Sequence, residues 1–211
     1  MKTPLVTLVD YGGGNLRSVV RALTHVGARV RVSADPAVVS QSDRVVLPGQ
    51  GAFDSCMTAL HERGLVDAIH SHLNHERPFL GICLGLQILF ERSAEGQTQK
   101  GLGVFQGEVL RFQSTPSRKV PHMGWNTAAP QTAMRCLPAS DTESWFYFVH
   151  SYFAKPSESG WIHGVTEYGD KQFASILARN NLFATQFHLE KSGELGLKLL
   201  AEFADWQGGS C

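Results

Sequence analysis

The stretch RPFLGICLGLQILFERS, residues 77–93, constrains this chain more than any other. From Pro78 to Phe90 it carries no charge, and at its centre stands Cys83, with Gly81 two residues before it and Gly85 two after. A short apolar run reads as a buried strand, and the run that leaves the cysteine reads as a helix. A strand, then Gly-x-Cys-x-Gly, then a helix is a nucleophile elbow with a thiol in place of a hydroxyl. The glycines leave room for the neighbouring strand and helix to approach, and the helix aims its first amides and positive dipole end at the sulfur. A free thiol is only a few per cent ionised at neutral pH, so that help bears on reactivity. Cys56, Cys136 and Cys211 have no such surroundings and read as small apolar fillers.

The elbow sits in an alternating pattern. Residues 5–10, 44–49 and 78–82 read as apolar strands, 29–33 as an alternating strand, and 15–28, 67–75 and 84–93 as helices. Such alternation argues for parallel strands with crossover helices. Residues 107–113, 144–155, 160–169, 172–180 and 182–190 read as strands separated by turns, which favours antiparallel or mixed pairing. A helix over 193–206 closes the chain. The expectation is one α/β domain over residues 1–207 with a mixed sheet, and a frayed tail at 208–211.

Composition removes several function classes. Formal net charge is zero, with no basic stripe for nucleic acid and no basic amphipathic helix for a membrane surface. The uncharged run 78–90 is too short to span a bilayer, and the N-terminus carries no cleavage signal. Four scattered cysteines without a CxxC pair fit reduced thiols, hence a cytoplasmic protein. His61, His70, His72 and His75 read as a solvated helical face, and no metal site or cofactor is expected.

A thiol nucleophile needs a base and a group that orients the base. ATQFHLEKS, residues 184–192, offers His188 and Glu190. At the end of an extended segment, residues two apart share a face, so the carboxylate can hold the imidazole. An oxyanion hole is also required. The Leu84 amide is one natural donor, and the glycine-rich loop LPGQGAF, residues 47–53, is a second source.

Taken together, PGQGAF, GICLGLQ and QFHLEKS resemble the triad-type (class I) glutamine amidotransferases. DYGGGNLRSV, KVPHMGWN and FYFVHSY narrow the resemblance to the glutaminase subunits of imidazole glycerol phosphate synthases, over essentially the whole chain. The resemblance implies a single domain whose mixed, mostly parallel central sheet is flanked by helices in a flavodoxin-like three-layer fold. It implies glutamine hydrolysis through a glutamyl thioester on Cys83, with His188 moving the proton and Glu190 orienting it. Gln50 and Leu84 would supply oxyanion amides, and Gly51, Gln87, Glu95, Ser151 and Tyr152 would hold glutamine. The partner would be a separate barrel-fold cyclase, met by Asn15, Trp125, Asn126, Tyr147 and Lys191 in a heterodimer. The cyclase would use the ammonia for histidine biosynthesis, and its loaded form would activate a chain that is nearly inactive alone.

Two positions depart from the family pattern. Leu189 stands where proline is usual between the histidine and the glutamate, and Gln50 where the loop usually has valine. Neither is the nucleophile, the base or its orienter. Three other readings compete: a glutaminase serving another ammonia-using synthase such as that of pyridoxal phosphate, a non-catalytic regulatory homologue, and a nucleotide loop at DYGGGN. The last fails the G-x-G-x-x-G pattern, because residue 17 is arginine.

Overall fold

The computed structural model describes residues 5–96, 98–130 and 144–209. Cys136 and Cys211 lie outside them. Strand β1 (Leu5–Val9) leads to helix α1 (Leu16–His25), β2 (Arg29–Ser33), the short α2 (Pro36–Ser40) and β3 (Val45–Leu47). Next come α3 (Phe53–Glu62), α4 (Leu65–Asn74), β4 (Phe79–Ile82), the single turn α5 (Leu84–Gln87) and β5 (Phe90–Ser93). Seven strands follow: β6 (Phe105–Arg111), β7 (His122–Pro130), β8 (Ser144–His150), β9 (Tyr152–Pro156), β10 (Ile162–Tyr168), β11 (Lys171–Arg179) and β12 (Leu182–Thr185). Helix α6 (Gly193–Asp205) comes last.

The strand order is β2-β1-β3-β4-β12-β11-β10-β7-β8, with β5, β6 and β9 attached beside β11. Neighbours are parallel from β2 to β12. Beyond β12 the sheet continues antiparallel through β11, β10, β7 and β8. Alternation of side chains divides the core between the two faces. In β4, Phe79 joins the cluster of Leu60, Leu65 and Ile69 from α3 and α4. Leu80 and Ile82 join Leu23, Leu200 and Phe203 from α1 and α6 on the other face. The result is three layers, helices on both sides of a sheet.

The structure departs from the sequence expectation in several places. The helix expected over 84–93 is one turn, followed by a strand. The carbonyls of Ile88 and Leu89 accept from Leu102, Val104 and Phe105 N–H groups, which takes them out of any helix. β5 then pairs with β6, with Phe90 opposite Phe105, so tertiary pairing overrides the local period. The strand expected over 144–155 divides at Ser151 into β8 and β9, and that over 182–190 ends at Thr185. Elements α2, α3 and β7 were not anticipated. His72 does not belong to a solvated face: it is fully buried, with Nε2 3.0 Å from the Pro78 carbonyl. Among the described residues no helix is long and apolar enough to cross a membrane.

Candidate active site

Parallel strands end together, and in open α/β sheets ligands sit at that carboxyl edge. There a cavity of about 330 Å³ is lined by Gly49, Gln50 and Gly51 after β3 and by Cys83, Leu84 and Gln87 after β4. Glu95 after β5, Pro121 before β7, Val149 to Tyr152 at the β8–β9 junction and His188 after β12 complete the wall. The residues selected from the sequence for nucleophile, base, oxyanion amides and substrate contact all border this cavity, apart from Glu190, which contacts His188 instead.

Cys83 follows β4 in a backbone conformation of φ 55°, ψ −104°, one that costs a side-chain-bearing residue about 1–3 kcal/mol. Surrounding hydrogen bonds hold it there. Its N–H donates to the Thr185 carbonyl at 2.7 Å, and its carbonyl accepts from Leu86 and Gln87 N–H groups at 3.0 and 3.2 Å. The flanking glycines permit direct backbone contact. A Cβ on Gly85 would lie 2.1 Å from the Leu47 carbonyl oxygen, and one on Gly81 would lie 2.7 Å from the Gly85 oxygen. Gly49 joins them, since its Cβ would meet Gly85 N at 2.4 Å. The loop after β3 is thereby pressed against the elbow. Because α5 is a single turn, little helix dipole reaches the sulfur. What remains is local: Leu84 begins the turn, so its N–H has no partner within it.

His188 and Glu190 meet for a different reason from the one expected. His188 is extended, but Leu189–Lys191 form a 3₁₀ turn that brings Glu190 back. Glu190 Oε1 lies 2.8 Å from His188 Nδ1, with both side chains buried. Nδ1–H donates to the carboxylate. Nε2 is buried without a hydrogen-bond partner among the described residues, which leaves it as the nitrogen available for proton transfer. Burial alone would push the imidazole down. The Cys83 sulfur and the Glu190 carboxylate outweigh burial and raise it above the usual histidine range. Leu189 is fully buried in the core, so leucine at this position serves as packing. The segment is tied to β8: His188 N–H donates to the Tyr147 carbonyl at 3.0 Å, and Tyr147 N–H donates to Ser192 Oγ at 3.0 Å.

Polar groups around the cavity are partly fixed by the protein. Gln87 Nε2 donates to the Tyr152 carbonyl at 2.9 Å and to Gln186 Oε1 at 3.2 Å. With both its N–H groups used, Gln87 can offer the cavity only its acceptor oxygen. Glu95 Oε2 accepts the Phe53 N–H at the start of α3, at 2.9 Å, and burial raises its carboxyl above the usual range. The Gln50 carbonyl accepts from Tyr11 Oη at 3.5 Å, and Gly51 follows at φ 110°.

Sequence reasoning overlooked two groups here. Gln186, fully buried, has Nε2 3.6 Å from Cys83 Sγ. His150, at the cavity, pairs with His122 at 3.0 Å, and burial pushes them down to about 3 and about 4. Both lie inside stretches that carry the family resemblance, QFHLEKS and FYFVHSY, but their contacts with Cys83 and His122 come from the fold and are not visible in the motifs.

The residues expected at a partner face fall mainly on the β7–β8 hairpin. Trp125 lies opposite Tyr147 in register, and Lys191 Nζ sits 5.9 Å from the Tyr147 ring centre. Met123 and Trp145 share that face and, with Trp125, are more than half exposed, at 62%, 52% and 53%. Alternation in HMGWNT and SWFYFVH could have added both to the face. Asn126 turns inward, donating to His122 and to the Glu167 carbonyl. Asn15 is half-buried just before α1.

The family described as glutamine amidotransferase class-I matches residues 7–205. The chain is 50% identical over 207 residues to the imidazole glycerol phosphate synthase subunit HisH of Thermosynechococcus vestitus, covering 96% of this chain and 97% of the relative. It is 47% identical over 213 residues to the HisH of Aromatoleum aromaticum, covering 95% and 98%. Among solved structures, the PurLQS structure from Thermotoga maritima superposes with a TM-score of 0.76 over 96% of this chain and 98% of that one, at 16% identity. A glutamine amidotransferase crystal structure gives 0.73 over 95% and 99%, at 17% identity. These two structures show the fold.

Proposed function

The chain belongs to the class-I glutamine amidotransferases, and we propose that it is the glutaminase subunit of an imidazole glycerol phosphate synthase. Full-length similarity to relatives of that name supports the narrower assignment. The observation that carries the chemistry is the single cavity bordered by Cys83 and by His188, whose far nitrogen is held by Glu190.

In this reading Cys83 Sγ attacks the side-chain amide carbon of glutamine. Negative charge develops on the amide oxygen and is met by the Leu84 and Gln50 N–H groups, each such donor contributing roughly 3–4 kcal/mol in comparable enzymes. His188 Nε2–H passes a proton to the leaving nitrogen, which departs as ammonia. The acyl group remains as a thioester on Cys83. Water then attacks the thioester while His188 takes its proton, and glutamate leaves. Gly51, Gln87, Glu95, Ser151 and Tyr152 hold the substrate. The Gln87 oxygen and the Glu95 carboxylate suit the donor N–H groups of glutamine.

Ammonia passes to a barrel-fold cyclase, a separate chain, which forms imidazole glycerol phosphate and aminoimidazole carboxamide ribotide for histidine biosynthesis. The exposed face of Met123, Trp125, Trp145 and Tyr147, with Lys191 beside it, suits a partner surface, since aromatic anchors dominate such contacts. Asn15 completes the proposed interface, with Asn126 supporting it from behind through its bonds to His122 and the Glu167 carbonyl.

The test is glutamate release from glutamine by this chain, alone and with the cyclase and its nucleotide substrate. Stimulation by the loaded cyclase, and its loss in Cys83→Ala with the fold retained, is the expected result. Turnover that ignores the cyclase would assign the ammonia to another synthase, and full activity in Cys83→Ala would overturn the nucleophile.

A further inference from the structure

Gln186 immediately precedes the Phe187–His188 pair and received no role from the sequence. It is fully buried, and its backbone N–H donates to the Ser175 carbonyl at 2.9 Å, which anchors it to β11. Its side chain bridges two residues that border the cavity: Oε1 lies 3.2 Å from Gln87 Nε2, and Nε2 lies 3.6 Å from Cys83 Sγ.

The direction of that amide decides its chemistry, and it follows from a group with only one possible role. The Tyr152 carbonyl can only accept, so the Gln87 end facing it at 2.9 Å must be the nitrogen. The same nitrogen faces Gln186, so that end of Gln186 must be the oxygen. The remaining end, toward the sulfur, is therefore the N–H₂ group. A reversed Gln186 would set two donors against each other and an oxygen lone pair against the sulfur.

We propose that Gln186 acts on the nucleophile as a fourth side chain, its Nε2–H donating to Cys83 Sγ in an orientation dictated through Gln87 by the Tyr152 carbonyl. The bond fixes the direction of the sulfur in the cavity. A donor also stabilises an anionic acceptor more than a neutral one, so it favours the thiolate. Gln186 is uncharged and does this without protonation of its own. The ionisable groups coupled to Cys83 from neighbouring elements are His188, from the segment after β12, and Tyr11, from the loop after β1, whose hydroxyl donates to the Gln50 carbonyl.

This inference rests on Cys83 as the nucleophile, but it can be read on the thiol without turnover. The full chain and its Gln186→Met variant are treated with iodoacetamide from pH 5 to 10, and alkylation of the Cys83 peptide is followed by mass spectrometry. Methionine matches the length and lacks the donor. Alkylation at neutral pH should fall about tenfold in the variant, the size expected for one hydrogen bond to a charged acceptor. The two rates should converge at high pH, where the thiol is ionised in both. The turnover number should fall with the neutral-pH rate. An unchanged alkylation profile in a folded variant overturns the proposal. Should the variant fail to fold, the unaltered chain supplies the answer: the Gln186 side-chain amide protons, followed by NMR, should titrate with the alkylation midpoint, and protons that ignore it overturn the proposal. Loss of turnover with a normal thiol profile would count against Gln186, whereas a shifted profile on a thiol that Cys83→Ala shows to be dispensable for turnover would count against the nucleophile.

Discussion

At His188 the two ring nitrogens have separate duties. Nδ1 is fixed against Glu190 at 2.8 Å, while Nε2 makes no hydrogen bond among the described residues. Glu190→Gln keeps an acceptor oxygen at the same reach but removes the charge that stabilises the imidazolium. The expected result is a turnover number lower by roughly a hundredfold or more, with little change in KM, as for the neutral replacement in a serine-protease triad. Steady-state glutaminase kinetics with the activating partner would check it, and an unchanged turnover number would remove Glu190 from the mechanism.

At the scale of the element, the elbow depends on backbone contact between the β3 loop, the end of β4 and α5. Gly85→Ala places a methyl 2.1 Å from the Leu47 carbonyl oxygen, so β3 and α5 must separate. It should cost about 2–4 kcal/mol of stability and lower activity by moving Cys83. Gly160→Ala is the comparison, since a Cβ there meets nothing, and it should change stability by under about 1 kcal/mol. Urea unfolding of both variants measures the difference, and equal stabilities would refute the close-contact account. These same glycines explain what the sequence could reveal. Gly81 and Gly85 around Cys83 announce a tight turn because nothing else justifies two glycines in a buried run. The fate of residues 88–93 was hidden, because the carbonyls of Ile88 to Glu91 are claimed by residues 101–105, a pairing no local period encodes. His188 and Glu190 were paired correctly on a mistaken premise: a 3₁₀ turn, and not strand alternation, joins them. Gln186 escaped notice because its partners, Gln87 and Cys83, lie far away in sequence.

For the whole molecule, three buried histidines are kept neutral. Burial pushes His72 and His122 down to about 4 and His150 to about 3, against about 6.5 in an unfolded chain. Between pH 6.5 and about 4 the unfolded chain binds protons that the folded one refuses, so stability is full above 6.5 and falls as the solution is acidified. Each histidine contributes up to about 1.4 kcal/mol per pH unit in that window. His188, raised in the fold, acts with the opposite sign: its contribution is full well below 6.5 and is lost as the pH rises above it, so it offsets the other three near pH 7 and adds little slope below about pH 6. Thermal unfolding midpoints should therefore drop as the pH falls from about 6 to about 4.5, and a flat profile there would show that these histidines are not held neutral. The tie between His188 and β8 has a separate consequence. An open sheet has two rims, and an unsatisfied rim can recruit a strand from another molecule and start a fibre. The β2 rim carries exposed arginines at 29 and 31. At the opposite rim, the outward N–H and C=O of Tyr147 in β8 are already taken by Ser192 and His188. The segment that carries the proposed base thus also guards the sheet against aggregation at the middle of its last strand.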